Sequence, residues 1–77
     1  MKFVWYVYRP TYMSMLEPPA LWRIEQVEAF SERDQMLADG RTLNDAGEWV
    51  ELPGEWWRFE DRDEAEAWMR AEARRYS

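Results

Sequence analysis

A chain of 77 residues with 16 acids, 10 bases, a net charge of −6 and neither cysteine nor histidine is tightly bounded before any motif is sought. It has room for one domain, residues 1–77, with a thin core, since a chain this short buries about 60 to 65 per cent of its unfolded surface. The missing cysteines exclude a disulfide framework, a thiolate nucleophile and a thiolate metal site, and the missing histidines remove the commonest general base and transition-metal ligand.

What the chain has in excess is aromatic and flexible apolar side chains: 6 Trp, 4 Tyr, 3 Phe and 5 Met. These bury large area per residue and suit a small domain without staples. No segment has the length of a membrane span, and the run Phe3 to Tyr8 is too short and aromatic for a signal peptide, which points to a cytoplasmic protein. The charge is uneven. Lys2, Arg9 and Arg23 balance Glu17, Glu25 and Glu28, whereas 9 acids (Asp45, Glu48, Glu51, Glu55, Glu60, Asp61, Asp63, Glu64, Glu66) face only Arg58 and Arg62 between residues 45 and 66. Such a block repels phosphate, disfavours direct nucleic-acid binding and favours a basic partner.

Residues 2–8 are β-prone and apolar on both faces, as in a central strand, and Arg9-Pro10 is expected to stop it. Residues 10–20, PTYMSMLEPPA, read as an extended loop too apolar to be a disordered linker. In 21–30, LWRIEQVEAF, the apolar residues scatter on a helical wheel. As a strand it places Trp22 and Ile24 on one face and Val27 and Ala29 on the other, which a bulge near Glu25-Gln26 would bring into phase. Ser31 and Asp34 form a capping box for a short helix over about 32–39, and Gly40 stands at its C′ position. NDAG (44–47) and LPGE (52–55) are turn signals, Pro53-Gly54 fitting a type II turn, with strands at 48–52 and 55–60. Asp61 and Glu64 cap a last helix over about 62–76, on which Ala65, Trp68, Met69, Ala73 and Tyr76 share a side. Arg70, Arg74 and Arg75 suit its C-terminal end, while Glu72 interrupts the apolar stripe without evident reason.

The order is β–loop–β–α–β–β–α. The fold class is α+β: an antiparallel sheet of about four strands, a short helix after the second strand and a longer C-terminal helix, with helices on one face. The pattern Phe-x-acid-Arg-Asp-polar occurs at 30–35 and again at 59–64. Two strand-to-helix corners needing the same capping chemistry account for it better than a duplication.

The adjacent Trp56 and Trp57 must point to opposite faces of a strand. A hairpin through 52–55 would place Val50, Leu52, Trp57 and Phe59 on a core face, under Trp68 and Met69 of the last helix. Trp49, Trp56, Glu51 and Arg58 would share the other, with Trp49 opposite Arg58. That outer face either meets a partner or is covered by a helix or the 10–20 loop. Catalysis has little support: no pair of carboxylates stands out, and so small a domain rarely encloses a cleft. No cofactor or metal is expected, since neither DRDE nor NDAGE has the spacing of a calcium loop. The acids serve as a solubilising face, dock a basic protein, or imitate the phosphate spacing of nucleic acid.

Met1-Lys2-Phe3-Val4 followed by Tyr6, the closing Phe59-Glu60, the acidic cap and Trp68 on the last helix resemble a family of small phage anti-CRISPR proteins, which are similar also in size, acidity and strands-then-helix layout. The resemblance implies a non-enzymatic protein that binds a CRISPR surveillance complex in the host cytoplasm and blocks access of target DNA. The reading is thus an acidic inhibitor of a basic, nucleic-acid-handling complex. Trp49, Trp56 and Arg58 would be its anchors, with Glu48, Glu51, Glu60, Asp61, Asp63 and Glu64 as electrostatic complement. The alternative is a self-associating domain that dimerises through the aromatic sheet face.

Overall fold

The computed structural model describes residues 1–13, 15–52 and 54–76, the side chain of Tyr12 excepted. Its centre is β1 (Phe3–Tyr12), apolar on both faces because both faces are covered. On one side β1 pairs with β3 (Arg23–Glu28), from Phe3↔Glu28 to Tyr8↔Arg23. On the other it pairs with β6 (Gly54–Phe59), from Trp5↔Phe59 to Pro10↔Gly54. The short β2 (Met15–Leu16) pairs with its far end, which completes an antiparallel four-stranded sheet. Helices α1 (Glu32–Ala38) and α2 (Arg62–Arg75) lie where their caps predict. Strands β4 (Arg41–Leu43) and β5 (Trp49–Glu51) form a separate ribbon.

The fold class is the expected one, an α+β domain with a C-terminal helix and a smaller one, but the helices divide the two faces between them. Val4, Tyr6 and Tyr8 alternate with Val7 and Arg9 along β1. Val4 and Tyr6 form a core cluster with Val27 and with Leu37 of α1, against which Ala29 and Trp56 pack. On the opposite face Trp68 of α2 meets Trp57 at 4.8 Å and Phe59 at 5.7 Å between ring centroids. The neighbouring tryptophans therefore each face a helix, and Trp57 takes its expected place under Trp68.

Three local expectations are corrected. Pro10 does not end β1: its carbonyl accepts the Glu17 amide at 2.8 Å, so the ladder loses one donor rather than its continuity. No bulge interrupts β3, whose register with β1 is unbroken. With both faces covered, Trp22 and Ile24 serve one core and Val27 the other, and no phase shift is needed. The 48–52/55–60 hairpin does not form, because β5 pairs with β4 and β6 with β1. NDAG closes the β4–β5 ribbon instead, with Asn44 Oδ1 accepting the amides of Ala46 and Glu48 at 2.9 Å each. Val50 consequently stands exposed on that ribbon rather than in the core. Pro53 lies outside the described residues. Gly54 opens β6 because a Cβ there would come within 2.6 Å of the Tyr8 ring and 2.7 Å of the Arg9 carbonyl. Gly40 holds the C′ position of α1 with φ of +79°.

The interruption at Glu72 has a structural reason. Arg9, only 6 % exposed, lies on the α2 face of β1. Its Nη1 donates to Glu72 Oε2 at 2.9 Å and its Nη2 to Glu55 Oε2 at 2.7 Å. Four rings surround the guanidinium: Trp57 at 4.1 Å, Trp22 at 5.2 Å, Trp68 at 5.5 Å and Tyr76 at 5.6 Å. The acid in the helix stripe is the counter-charge that lets an arginine sit inside an aromatic box.

Candidate protein-binding face

The α1 face holds a second ion pair, built from the corner between β3 and α1. Ser31 caps the helix by accepting the Asp34 amide at 3.1 Å. This aims the Asp34 side chain inward, where the residue is 4 % exposed. Its Oδ1 accepts from Arg58 Nε at 3.0 Å and from the Tyr6 hydroxyl. Its Oδ2 accepts from Arg58 Nη2 at 3.2 Å and from the Phe30 amide at 2.8 Å. The Arg58 guanidinium, followed by the Tyr6 hydroxyl and the Phe30 amide, overcomes the cost of burial and holds the Asp34 carboxyl at a pKa of about 2. Burial first, and then Asp34, push the Tyr6 phenol up. Asp34 in turn raises Arg58 further. One acid stays ionised, one phenol stays protonated, and both are engaged. The network pins α1 to the sheet.

The corner itself is strained. Phe30 has φ of +61° and is 82 % exposed. A bulky side chain is uncommon in the left-handed region, where Gly or Asn sits at lower cost. The Phe30 amide is held by Asp34, and the next amide, of Ser31, reaches Glu28 O at 3.3 Å, so the backbone is tied on both sides of the reversal. The ring is left outside, with the Lys2 ammonium and the Arg58 guanidinium each 5.9 Å from its centroid. Beside it opens a cleft of about 360 Å³ lined by Phe30, Asp34, Gln35, Ala38 and Arg58.

The expected anchors separate. Trp49 pairs with Leu43 across the β4–β5 ribbon, not with Arg58, and its indole donates to Glu32 Oε1 of α1 at 3.1 Å. Trp56 does share a face with Arg58, as expected, but α1 lies over that face. Its ring stacks on Tyr8 at 4.4 Å and meets Tyr6 edge-on at 5.8 Å. Arg23 caps the far side of that stack, 4.7 Å from the Tyr8 ring. Arg58 is committed to Asp34. Glu48 and Glu51 are exposed on the ribbon; Glu60, Asp61, Asp63 and Glu64 are exposed where β6 runs into α2. Asp61 caps α2, accepting the Asp63 amide at 3.4 Å. Glu60 lies 3.6 Å from both Lys2 and Arg58. Glu48, Glu51, Asp61, Asp63 and Glu64 make no ion pair among the described residues.

Comparison with known proteins finds no matching family model, and no match among curated proteins or solved structures. Among the described residues no helix is long and apolar enough to cross a membrane, and no three acids gather into a cluster that could hold a metal ion.

Sequence reasoning missed Phe30 and Asp34 as members of a site. A signal was present in the Phe-x-acid-Arg-Asp pattern, which carries both. It was diluted by its second copy, in which Phe59 packs on Trp68 and Asp63 is exposed.

Proposed function

We propose that the chain is a non-enzymatic, acidic inhibitor that binds a basic, nucleic-acid-handling protein complex. The observation that carries this reading is the division of labour among its charges. Acids that build the fold (Asp34, Glu55, Glu72, Glu25) are paired with arginines. Glu48, Glu51, Asp63 and Glu64 are exposed and make no ion pair among the described residues, Arg41 standing opposite Glu51 across the β4–β5 ribbon without closing one. The two bases of the same stretch are engaged with other acids, Arg58 with Asp34 and, at 3.6 Å, with Glu60, and Arg62 with Glu66 at 3.1 Å. An unneutralised acidic surface on a small rigid body steers association with a lysine- and arginine-rich face and raises its on-rate. The resemblance of both chain ends to small anti-CRISPR proteins supports a CRISPR surveillance complex as that partner, with target DNA excluded.

The test is a gel-shift assay of a purified RNA-guided surveillance complex on its target duplex, with this protein titrated in. Loss of the shifted band, relieved by added salt and by the combined variant Glu48→Gln/Glu51→Gln/Asp63→Asn/Glu64→Gln, is the expected result. A band unaffected at large excess of protein sinks that choice of target. Inhibition that ignores both salt and the charge-neutral variant sinks the electrostatic reading.

A further inference from the structure

We infer that the cleft beside Phe30 receives a large apolar side chain from a lysine- or arginine-bearing segment of the partner, with the Phe30 ring as one wall. The inference rests on the proposed acidic binding surface and assigns it a contact point.

Phe30 keeps a costly backbone conformation without burying its ring. The chain needs a left-handed residue to turn from β3 into α1, and glycine would meet that need without steric cost. An aromatic residue there gains little for the fold, since Phe30 is 82 % exposed and its ring meets only the Lys2 and Arg58 cations, each 5.9 Å from its centroid. Strain combined with exposure points to a use outside the fold. The cleft it borders, about 360 Å³, is open and has room for one large apolar side chain against the ring, Ala38 and the methylenes of Gln35. Its position cannot drift, because Asp34 fixes both the Phe30 amide and Arg58.

Charge selects the segment. Each nearby cation has an acid partner: Lys2 has Glu60, Arg33 has Glu25 and Arg58 has Asp34. Glu28 and Glu32, two residues either side of Phe30, are exposed and have no cation partner among the described residues. The rim is therefore left with negative charge, complementary to lysine or arginine flanking the inserted side chain. A buried aromatic contact at the centre with charged contacts at the rim is the usual anatomy of a binding hot spot.

The test uses the full chain labelled with ¹⁵N and three short peptides: one leucine flanked by lysines, the same leucine flanked by glutamates, and lysines with no leucine. The lysine–leucine peptide is expected to bind about tenfold more tightly than either control and to shift the amide resonances of Phe30, Gln35 and Ala38. Phe30→Gly should lose about tenfold in that affinity while melting at a higher temperature than the wild type. Phe30→Tyr should retain binding. Equal affinity for the two lysine peptides, unchanged in Phe30→Gly, overturns the cleft while leaving the acidic-surface reading standing. Preference for the glutamate peptide, or no affinity for any lysine peptide, overturns both. A lower melting temperature for Phe30→Gly shows that the residue serves the fold and overturns the assignment.

Discussion

Two arginines on neighbouring strands, Arg9 on β1 and Arg58 on β6, were put to opposite uses. Arg9 is sealed: two carboxylates bind its ends, four rings enclose its faces, and α2 closes over it. Arg58 is anchored but open, holding buried Asp34 with one edge while its Nη1 lies 3.6 Å from the exposed Glu60, and it borders the cleft beside a single exposed ring. The same guanidinium–carboxylate chemistry yields a closed core on one face and a rigid rim on the other. What separates them is the cover. The fourteen-residue α2 spans its face, whereas α1, with seven residues, leaves its face partly open.

The contrast breaks most visibly at Arg9. Arg9→Ala leaves the mostly buried Glu72 with only the exposed Arg75, 3.1 Å from its Oε1, as counter-charge, and empties the aromatic box. Loss of about 3 to 5 kcal/mol is expected, a large share of the roughly 5 to 15 kcal/mol available to a small domain. Urea unfolding followed by tryptophan fluorescence measures it. Replacing both partners with apolar residues, as Arg9→Met with Glu72→Leu, should recover part of that loss, since no buried charge is then stranded. A double variant no more stable than Arg9→Ala would mean that the ion pair itself, not the penalty of breaking it, holds α2 in place.

The open face should respond less and in a pH-dependent way. Asp34→Asn removes the charge that Arg58, Tyr6 and the Phe30 amide all address, at a cost of about 1.5 to 3 kcal/mol near neutral pH. The sign with pH follows from the depressed carboxyl. Asp34 titrates at about 2 when folded against an ordinary value of 3.8. Its contribution is fully present above that ordinary value and is lost as pH falls through the folded one. The stability gap between wild type and Asp34→Asn should therefore narrow between about pH 4 and pH 2; a gap constant across that window would mean that the carboxylate is not what Arg58 holds.

Tyr6→Phe probes the same network with a smaller effect, about 1 kcal/mol, because one hydrogen bond is lost and the ring stays. Its raised phenol adds a test in base. The unfolded chain ionises this tyrosine first, so stability is present below pH 10 and falls as pH rises above it. Relative to wild type, Tyr6→Phe should lose less stability on the alkaline side.

How far the sequence could be read depended on whether a residue's role was local. The caps at Ser31 and Asp61, the C′ glycine at position 40 and the turn at Asn44 were legible because their partners lie within four residues. Trp57 was legible because both the strand period and the helix period pointed at it. The pairing of β6 was not, since a hairpin with the adjacent β5 is the shorter closure. The long-range partner β1, with apolar residues for both faces, wins only once the whole sheet is assembled. Glu72 was opaque for the same reason, as its partner Arg9 lies 63 positions away. The repeated Phe-x-acid-Arg-Asp pattern shows the limit of local reading. Ser31, its second residue, is the cap in one copy, whereas Asp61, its third, is the cap in the other. Equal letters therefore do equal work in neither.

The smallest effect on stability is expected where the proposed function is concentrated. Glu48, Glu51, Asp63 and Glu64 make no ion pair among the described residues, so their combined amide variant should unfold within about 0.5 kcal/mol of the wild type. A modest gain is consistent with relief of repulsion within a chain of net charge −6. Asp63 and Glu64 also favour the N-terminal end of the α2 dipole, worth a few tenths of a kcal/mol each, which works against that gain. A loss comparable to that of Asp34→Asn would show that these acids are structural, and the distinction between acids that hold the fold and acids left for a partner would fail. Stability unchanged while association with a basic partner is lost would place the two kinds of carboxylate on opposite sides of that distinction. The closed Arg9 face would then be the scaffold and the open face the working surface.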